Sequence, residues 1–217
     1  MSLQAKVAAV LAATTPETRP SRDELSTMVV RMISEEEKAR PLTVGDSAPG
    51  FTLRTSDGVL VSAETLLRSG PLVVTFYRGL WCPYCQSDLR GFDAAMPDIK
   101  SLGAAVLAIS HARGADFGAP LEHGLHLDFP VLEDVSGDVA VRFGIRWSSE
   151  DTQFIEETLG LSSSTFRGTD PWIVPMQARF VIDVNGRIAF AEAAFTYDQR
   201  TDPAGVIPLL AQLRTQG

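Results

Sequence analysis

The chain has 217 residues, of which 45% are hydrophobic and 21% are charged, so it can form one substantial globular domain with an extension. Its formal net charge is −8 and its basic residues are not clustered, which argues against nucleic acid or an anionic membrane as a partner. No apolar run approaches the roughly 20 residues that cross a bilayer, and the first residues lack the pattern of a signal peptide. We therefore expect a cytoplasmic protein without a membrane segment.

Residues 1–40 are predicted to form a helical extension. Apolar residues recur at helical spacing between Leu3 and Leu11. Further on, Ser21 and Glu24 have the form of a capping box in front of a second apolar stripe. Such a stripe packs on the rest of the chain or on a second subunit.

From residue 41 onward, predicted strands and helices alternate. The strands are expected at 73–77, 104–109 and 129–132, with β-hairpins at 51–61 and at 179–191, the latter around Asn185-Gly186. The helices are expected from 85 to about 96, at 138–143, at 150–159 within an irregular insertion at 145–174, and from Pro203 towards the end. This order predicts one α/β domain over residues 41–217 with a thioredoxin-like fold, in which helices flank a central mixed sheet.

The two cysteines of the chain, Cys82 and Cys85, lie where a predicted strand gives way to a helix. Only the thiolate of a cysteine is a strong nucleophile, and the unpaired N–H groups and dipole at a helix start favour that negative charge. Pro83 suits the first helical turn because its missing N–H would be unpaired there. We expect Cys82 to attack and Cys85 to resolve, with a peroxide or another disulfide as the oxidant.

The cysteine pair also has interpretations other than redox chemistry. A structural zinc site needs four ligands, and the histidines (His111, His123 and His126) lie downstream without ligand-like pairing, so we expect no metal and no cofactor. A buried, inert pair would explain two cysteines but not the Pro-Tyr between them. A fold that has kept its cysteines but lost its activity stays open. Around the pair, Arg78 could supply positive charge or merely end a strand, and Trp81 could shield the thiolate or merely pack. His111 ends a predicted central strand near the cysteine loop.

The segment 76–85, Phe-Tyr-Arg-Gly-Leu-Trp-Cys-Pro-Tyr-Cys, resembles the active-site segment of the peroxiredoxin-like branch of the AhpC/TSA (alkyl hydroperoxide reductase/thiol-specific antioxidant) family. Segments 44–53, 180–188 and 197–203 resemble the family's opening strand, its late hairpin and the approach to its last helix. The resemblance implies a peroxidatic Cys82, a resolving Cys85 and no prosthetic group. It also implies a peroxide substrate, an external thiol reductant (thioredoxin, glutaredoxin or glutathione) and a possible homodimer.

Two departures from the family pattern keep rival functions open. Gly79 stands where a Thr or Ser hydroxyl usually precedes the reactive thiol, and Gln177 replaces the usual arginine of the late strand, with Arg179 nearby but expected to point elsewhere. Pro175 is a candidate for the cis-proline of thioredoxin-like folds. Cys-Pro-Tyr-Cys, with Tyr84 at its third position, is also the glutaredoxin tetrapeptide. The alternatives are therefore a glutaredoxin- or thioredoxin-like disulfide oxidoreductase and a non-enzymatic redox sensor.

Overall fold

The structure, a computed structural model, describes residues 8–9, 11–16, 18, 41–77, 79, 83–111, 127–145, 177–194 and 201–216. Its strands are β1 (Thr52–Thr55), β2 (Leu60–Ser62), β3 (Leu72–Phe76), β4 (Ala105–Ser110), β5 (Val131–Glu133), β6 (Gln177–Ile182) and β7 (Ile188–Ala194). Its helices are α1 (Ala63–Leu67), α2 (Pro83–Ser101), α3 (Asp138–Arg142) and α4 (Ile207–Gln216), the last preceded by a 3₁₀ turn at Pro203–Val206.

These strands form one mixed sheet in the order β2-β1-β5-β4-β3-β6-β7. The central strands β3, β4 and β5 are parallel, while β6 runs antiparallel to β3. The carboxyl ends of the parallel strands and the amino end of β6 therefore meet at one edge of the sheet. The start of α2 lies at the same edge, because α2 follows β3 after a short loop.

The helices cover both faces of the sheet and bury a separate apolar cluster on each. On one face α1 and α3 pack over a cluster in which the ring of Phe143 lies 5.2 Å from Phe76 and 4.9 Å from Phe180, centroid to centroid. On the other face α2 and α4 bury Leu89, Phe92 and their neighbours. Fully burying one such side chain stabilises the fold by about 1.5–3 kcal/mol. The prediction of an α/β domain with a flanked mixed sheet is confirmed.

The second hairpin differs in its turn from the prediction. Asn-Gly favours a two-residue turn with positive φ at both residues, but Gly186 is the only residue of this loop with a positive φ, at 77°. The loop is held by Asp183, whose carboxylate accepts hydrogen bonds from the backbone N–H groups of Asn185 and Arg187, both at 2.9 Å. The hairpin itself is therefore correct, but its turn is a wider one closed by glycine.

Helix α2 is longer than predicted, because it continues through Pro97 to Ser101. Proline normally interrupts a helix, since it lacks the N–H that would bond to the carbonyl four residues back. On either side of Pro97, Met96 and Ile99 are buried against the sheet. Burial of this face holds the helix together until Gly103, whose φ of 76° ends it.

Several sequence-based predictions fall outside the described residues. They are most of the 1–40 extension, the 150–159 helix and Pro175. From the extension the structure describes a short helical stretch, in which Leu11 packs against the cluster under α1 and α3. None of the helices in the described ranges is long and apolar enough to span a membrane.

The starts of β3 and β4 come so close together that only glycine fits at position 70. A Cβ on Gly70 would overlap the backbone carbonyl oxygen of Gly103, which no side-chain rotation can relieve. Gly70→Ala is therefore expected to lower the free energy of unfolding by about 1–3 kcal/mol, as overpacking does. Urea denaturation measures this. Gly205→Ala, whose Cβ would meet nothing within 4 Å, is the matched control, and equal losses in the two variants would contradict the packing argument.

Candidate active site

Cys85 lies in the first turn of α2 and is completely buried, at 0% exposure. The next residue towards the N-terminus, Tyr84, is 61% exposed, so the helix presents one face to solvent and the other to the sheet. Pro83 is the first residue of α2, as expected, and its side chain is not described. Arg78, Trp81 and Cys82 lie outside the described residues, so their predicted roles stay predictions.

Gly79, three residues before Cys82, is buried and has a φ of 154°. Residues with a Cβ rarely adopt this conformation, whereas glycine does so at little cost. The absence of a hydroxyl at this position therefore has a backbone reason, because a Thr or Ser here would be strained.

Gln177, the first residue of β6, contacts Cys85. The Gln177 Nε2 atom donates a hydrogen bond to the Cys85 Sγ atom over 2.9 Å, and the Gln177 side chain is itself buried, at 4% exposure. The two residues are 92 positions apart in the chain. The fold thus brings the residue that replaces the family's arginine into direct contact with the second cysteine.

Tyr77 follows β3 and lies in the same buried layer as Cys85. Its backbone N–H continues the sheet by donating to the Ile109 carbonyl over 3.0 Å. Burial raises the pKa of the Tyr77 phenol far above its ordinary value, and the Cys85 sulfur, when negative, raises it further. The phenol therefore stays protonated at every physiological pH.

Arg179 lies on the same face of β6 as Gln177, because side chains two residues apart in a strand point the same way. The expectation that strand alternation would point it elsewhere is therefore wrong. Its guanidinium is fully buried and lies 2.8 Å from the Asp88 carboxylate and 3.7 Å from that of Glu192. It also donates to the Thr201 carbonyl over 3.1 Å and lies 4.7 Å from the centre of the Phe92 ring. These contacts give Arg179 a structural role.

The remaining predicted residue near the site is His111, which follows β4 directly. Because β3 and β4 are parallel, His111 reaches the edge of the sheet that carries Tyr77, as the sequence predicted. His123 and His126 lie outside the described residues. In the sequence, Gln177 is marked only by its departure from the family pattern, and nothing there assigns a role to Tyr77. The alternation of residues 177, 179 and 181 on one face of a strand was a signal that Gln177 faces the same side as Arg179.

Comparison with known proteins gives matches over most of the chain. The AhpC/TSA family model matches residues 44–191. A putative peroxiredoxin of Mycobacterium tuberculosis H37Rv is 28% identical over 155 residues, which cover 71% of this chain and 87% of that protein. Peroxiredoxin Bcp of Escherichia coli K12 is 28% identical over 148 residues, which cover 68% of this chain and 83% of that protein.

Solved structures agree on the fold. The crystal structure of peroxidoxin BcpB from Mycobacterium tuberculosis matches with a TM-score of 0.58 and 23% identity, covering 80% of this chain and 97% of that one. A variant of Peroxiredoxin 6 from Arenicola marina matches with a TM-score of 0.62 and 15% identity, covering 81% of this chain and 74% of that one. The family-model match over residues 44–191 confirms the resemblance to the AhpC/TSA family.

The buried ion pairs of Arg179 predict a large loss of stability on substitution. Arg179→Met leaves the Asp88 and Glu192 carboxylates without their cation, so the free energy of unfolding should fall by about 3–5 kcal/mol. Arg142→Met is the control, because that arginine is exposed and its hydrogen bond goes to the uncharged Gly50 carbonyl. Chemical denaturation compares the two, and a loss for Arg179→Met no larger than the control's would contradict the role given to this ion pair.

The buried phenol of Tyr77 predicts a specific alkaline instability. In the unfolded chain the phenol ionises near its ordinary pKa of about 10, while the folded protein keeps the proton. Above that pH the unfolded state binds fewer protons, so this one group lowers the free energy of unfolding by about 1.4 kcal/mol per pH unit. Tyr77→Phe should flatten the alkaline slope by that amount in urea titrations at a series of pH values. Tyr84→Phe, at an exposed position, should keep the wild-type slope, and an unchanged slope in Tyr77→Phe would contradict the argument.

Proposed function

Because the chain belongs to the AhpC/TSA family, we propose that it is a thiol-dependent peroxidase whose reacting groups are the sulfurs of Cys82 and Cys85. The observation that carries this proposal is the position of Cys85, buried in the first turn of α2 with Cys82 three residues before it. The peroxiredoxins among the curated relatives support the peroxide chemistry.

In the proposed cycle the Cys82 thiolate attacks the O–O bond of the peroxide. One oxygen stays on the sulfur as a sulfenic acid, and the other leaves as water or an alcohol after taking up a proton. The Cys85 sulfur then attacks the sulfenic sulfur, expels hydroxide and closes a disulfide, and the hydroxide becomes water with the thiol proton. An external dithiol supplies the two electrons that reopen the disulfide and is itself oxidised.

The start of α2 supports both halves of this cycle. Unpaired N–H groups and the positive end of the helix dipole favour a thiolate directly before the helix. Residues three apart along a helix are neighbours about one turn apart, and a disulfide needs Cα atoms about 4.4–6.8 Å apart, so we expect Cys82 and Cys85 to come within reach of each other. Because Cys85 is buried, an incoming reductant would attack the Cys82 sulfur and release Cys85.

Several finer assignments remain part of the proposal. The solved structures of a Xanthomonas campestris bacterioferritin comigratory protein concern its alkyl peroxide reduction activity, which adds organic hydroperoxides to hydrogen peroxide as candidate substrates here. We expect thioredoxin, glutaredoxin or glutathione as the reductant, a cytoplasmic location and a homodimer.

A disulfide oxidoreductase is the second candidate, and two observations favour it. Gly79 supplies no hydroxyl and has a backbone conformation suited to glycine, and Gln177 stands in place of the arginine that helps to activate peroxide. The missing hydroxyl and the missing arginine would both act in the peroxide step, and neither is needed for exchange between disulfides. A redox sensor, the third candidate, would differ from both by failing to turn over with a reductant.

Stopped-flow tryptophan fluorescence of the reduced protein mixed with hydrogen peroxide tests the proposal. We expect a second-order rate at least about 10²-fold above that of a free thiolate, which is the factor that one preorganised electrostatic group supplies. Cys82→Ser should abolish this phase, because it removes the attacking sulfur. Cys85→Ser should keep the first phase and stop repeated turnover.

The same measurement can also contradict the proposal. A rate no higher than that of a free thiolate contradicts the peroxidase proposal. Rapid reduction of a mixed disulfide substrate by the same preparation would then establish the disulfide oxidoreductase.

A further inference from the structure

We propose that Gln177 is a positioning residue for Cys85, whose sulfur it holds through its side-chain amide, and that this contact makes the Cys82–Cys85 disulfide easier to reduce. The inference rests on the proposed function in one respect, namely that these two cysteines form a disulfide. It does not depend on the peroxide step.

The geometry of the contact is set by regular structure on both sides. Gln177 opens β6 and pairs with Ala194 of β7, so its backbone is fixed by the sheet. Cys85 lies in the first turn of α2. The Nε2–Sγ distance of 2.9 Å joins two buried side chains, so water does not compete for the sulfur.

An amide suits a sulfur that changes its protonation state. Its NH₂ group can donate to a thiolate, and its carbonyl oxygen can accept from a thiol S–H. A guanidinium, the family's usual group at this position, can only donate. In a buried site an unpaired polar atom is costly, so a side chain that satisfies both forms of Cys85 stabilises the reduced state throughout.

This contact acts on the disulfide equilibrium with a defined sign. When the thiolate of an external dithiol attacks the Cys82 sulfur, the S–S bond breaks and its electron pair leaves on Cys85, which later takes a proton from water. The Gln177 N–H group is in place to stabilise that leaving thiolate. A disulfide sulfur is a weaker acceptor than a thiolate, so the amide favours the reduced state, and a more stable reduced state makes a dithiol pair a stronger oxidant.

The test is an equilibrium without peroxide. Wild type and Gln177→Met are equilibrated with mixtures of reduced and oxidised glutathione, quenched, alkylated in denaturant and separated by mass. Methionine has a similar length but donates no hydrogen bond, so the equilibrium constant should shift towards the protein disulfide by about twofold to tenfold, the net worth of one hydrogen bond. Thr75→Val is the matched control, because its buried hydroxyl lies on the same sheet face and bonds to no described residue. The control should keep the wild-type constant.

A second variant provides a pH signature that a packing role would not produce. Gln177→Glu keeps the shape of the side chain but replaces the donor with an acid. An ionised carboxylate beside the sulfur disfavours the thiolate, so at an alkaline pH where the reduced Cys85 is a thiolate its shift should exceed that of Gln177→Met. At lower pH the protonated acid can donate again, and the constant should return towards the wild-type value.

Two results would overturn the inference. One is a wild-type constant in both folded variants, and the other is the absence of any Cys82–Cys85 disulfide at every glutathione ratio. Circular dichroism establishes that the variants are folded. The peroxide reaction of Cys82 is measured separately by stopped flow, so a failure of the peroxidase proposal and a failure of the Gln177 inference give different patterns of results.

Discussion

The arrangement of the site depends on a buried cation. Arg179 of β6 is ion-paired to Asp88 of α2 at 2.8 Å, with no exposed surface on its guanidinium. Such a charge is tolerated in the interior only when its partners are held in good geometry. Because Gln177 lies two residues before Arg179 and Cys85 lies three residues before Asp88, the same ion pair sets the alignment of strand and helix that brings amide and sulfur together.

The sheet topology explains why these groups share one edge. The parallel strands β3 and β4 end there, the antiparallel strand β6 begins there, and α2 starts there after the loop from β3. Cys85 lies in α2 and Gln177 in β6, and Tyr77 directly follows β3 with its backbone N–H bonded to the Ile109 carbonyl. Elements of this kind hold a reactive group more closely than a loop does.

The fold was predictable from the sequence because its signals are local. Alternating apolar runs indicated the hairpins, and the order of strands and helices indicated the mixed sheet. Helix α2 continues past Pro97 because burial of its apolar face stabilises it by more than one lost hydrogen bond costs. The presence of a proline in the sequence does not indicate how much of the helix is buried. The contact between Gln177 and Cys85 spans 92 positions and depends on the alignment of β6 against α2. No local pattern encodes such a contact, although the departure from the family arginine marked the position.

The complete burial of Cys85 also bears on oxidative damage. Oxidation of a cysteine to sulfinic and sulfonic acids requires an oxidant to reach the sulfur, and it is irreversible in most proteins. An oxidant dissolved in the surrounding solution does not contact a sulfur without exposed surface unless the structure opens locally. A chain damaged by excess oxidant at exposed sites would therefore keep this sulfur as a thiol. A count of free thiols after denaturation would then give one thiol for a chain whose other cysteine has been damaged, and two for a chain that has not reacted.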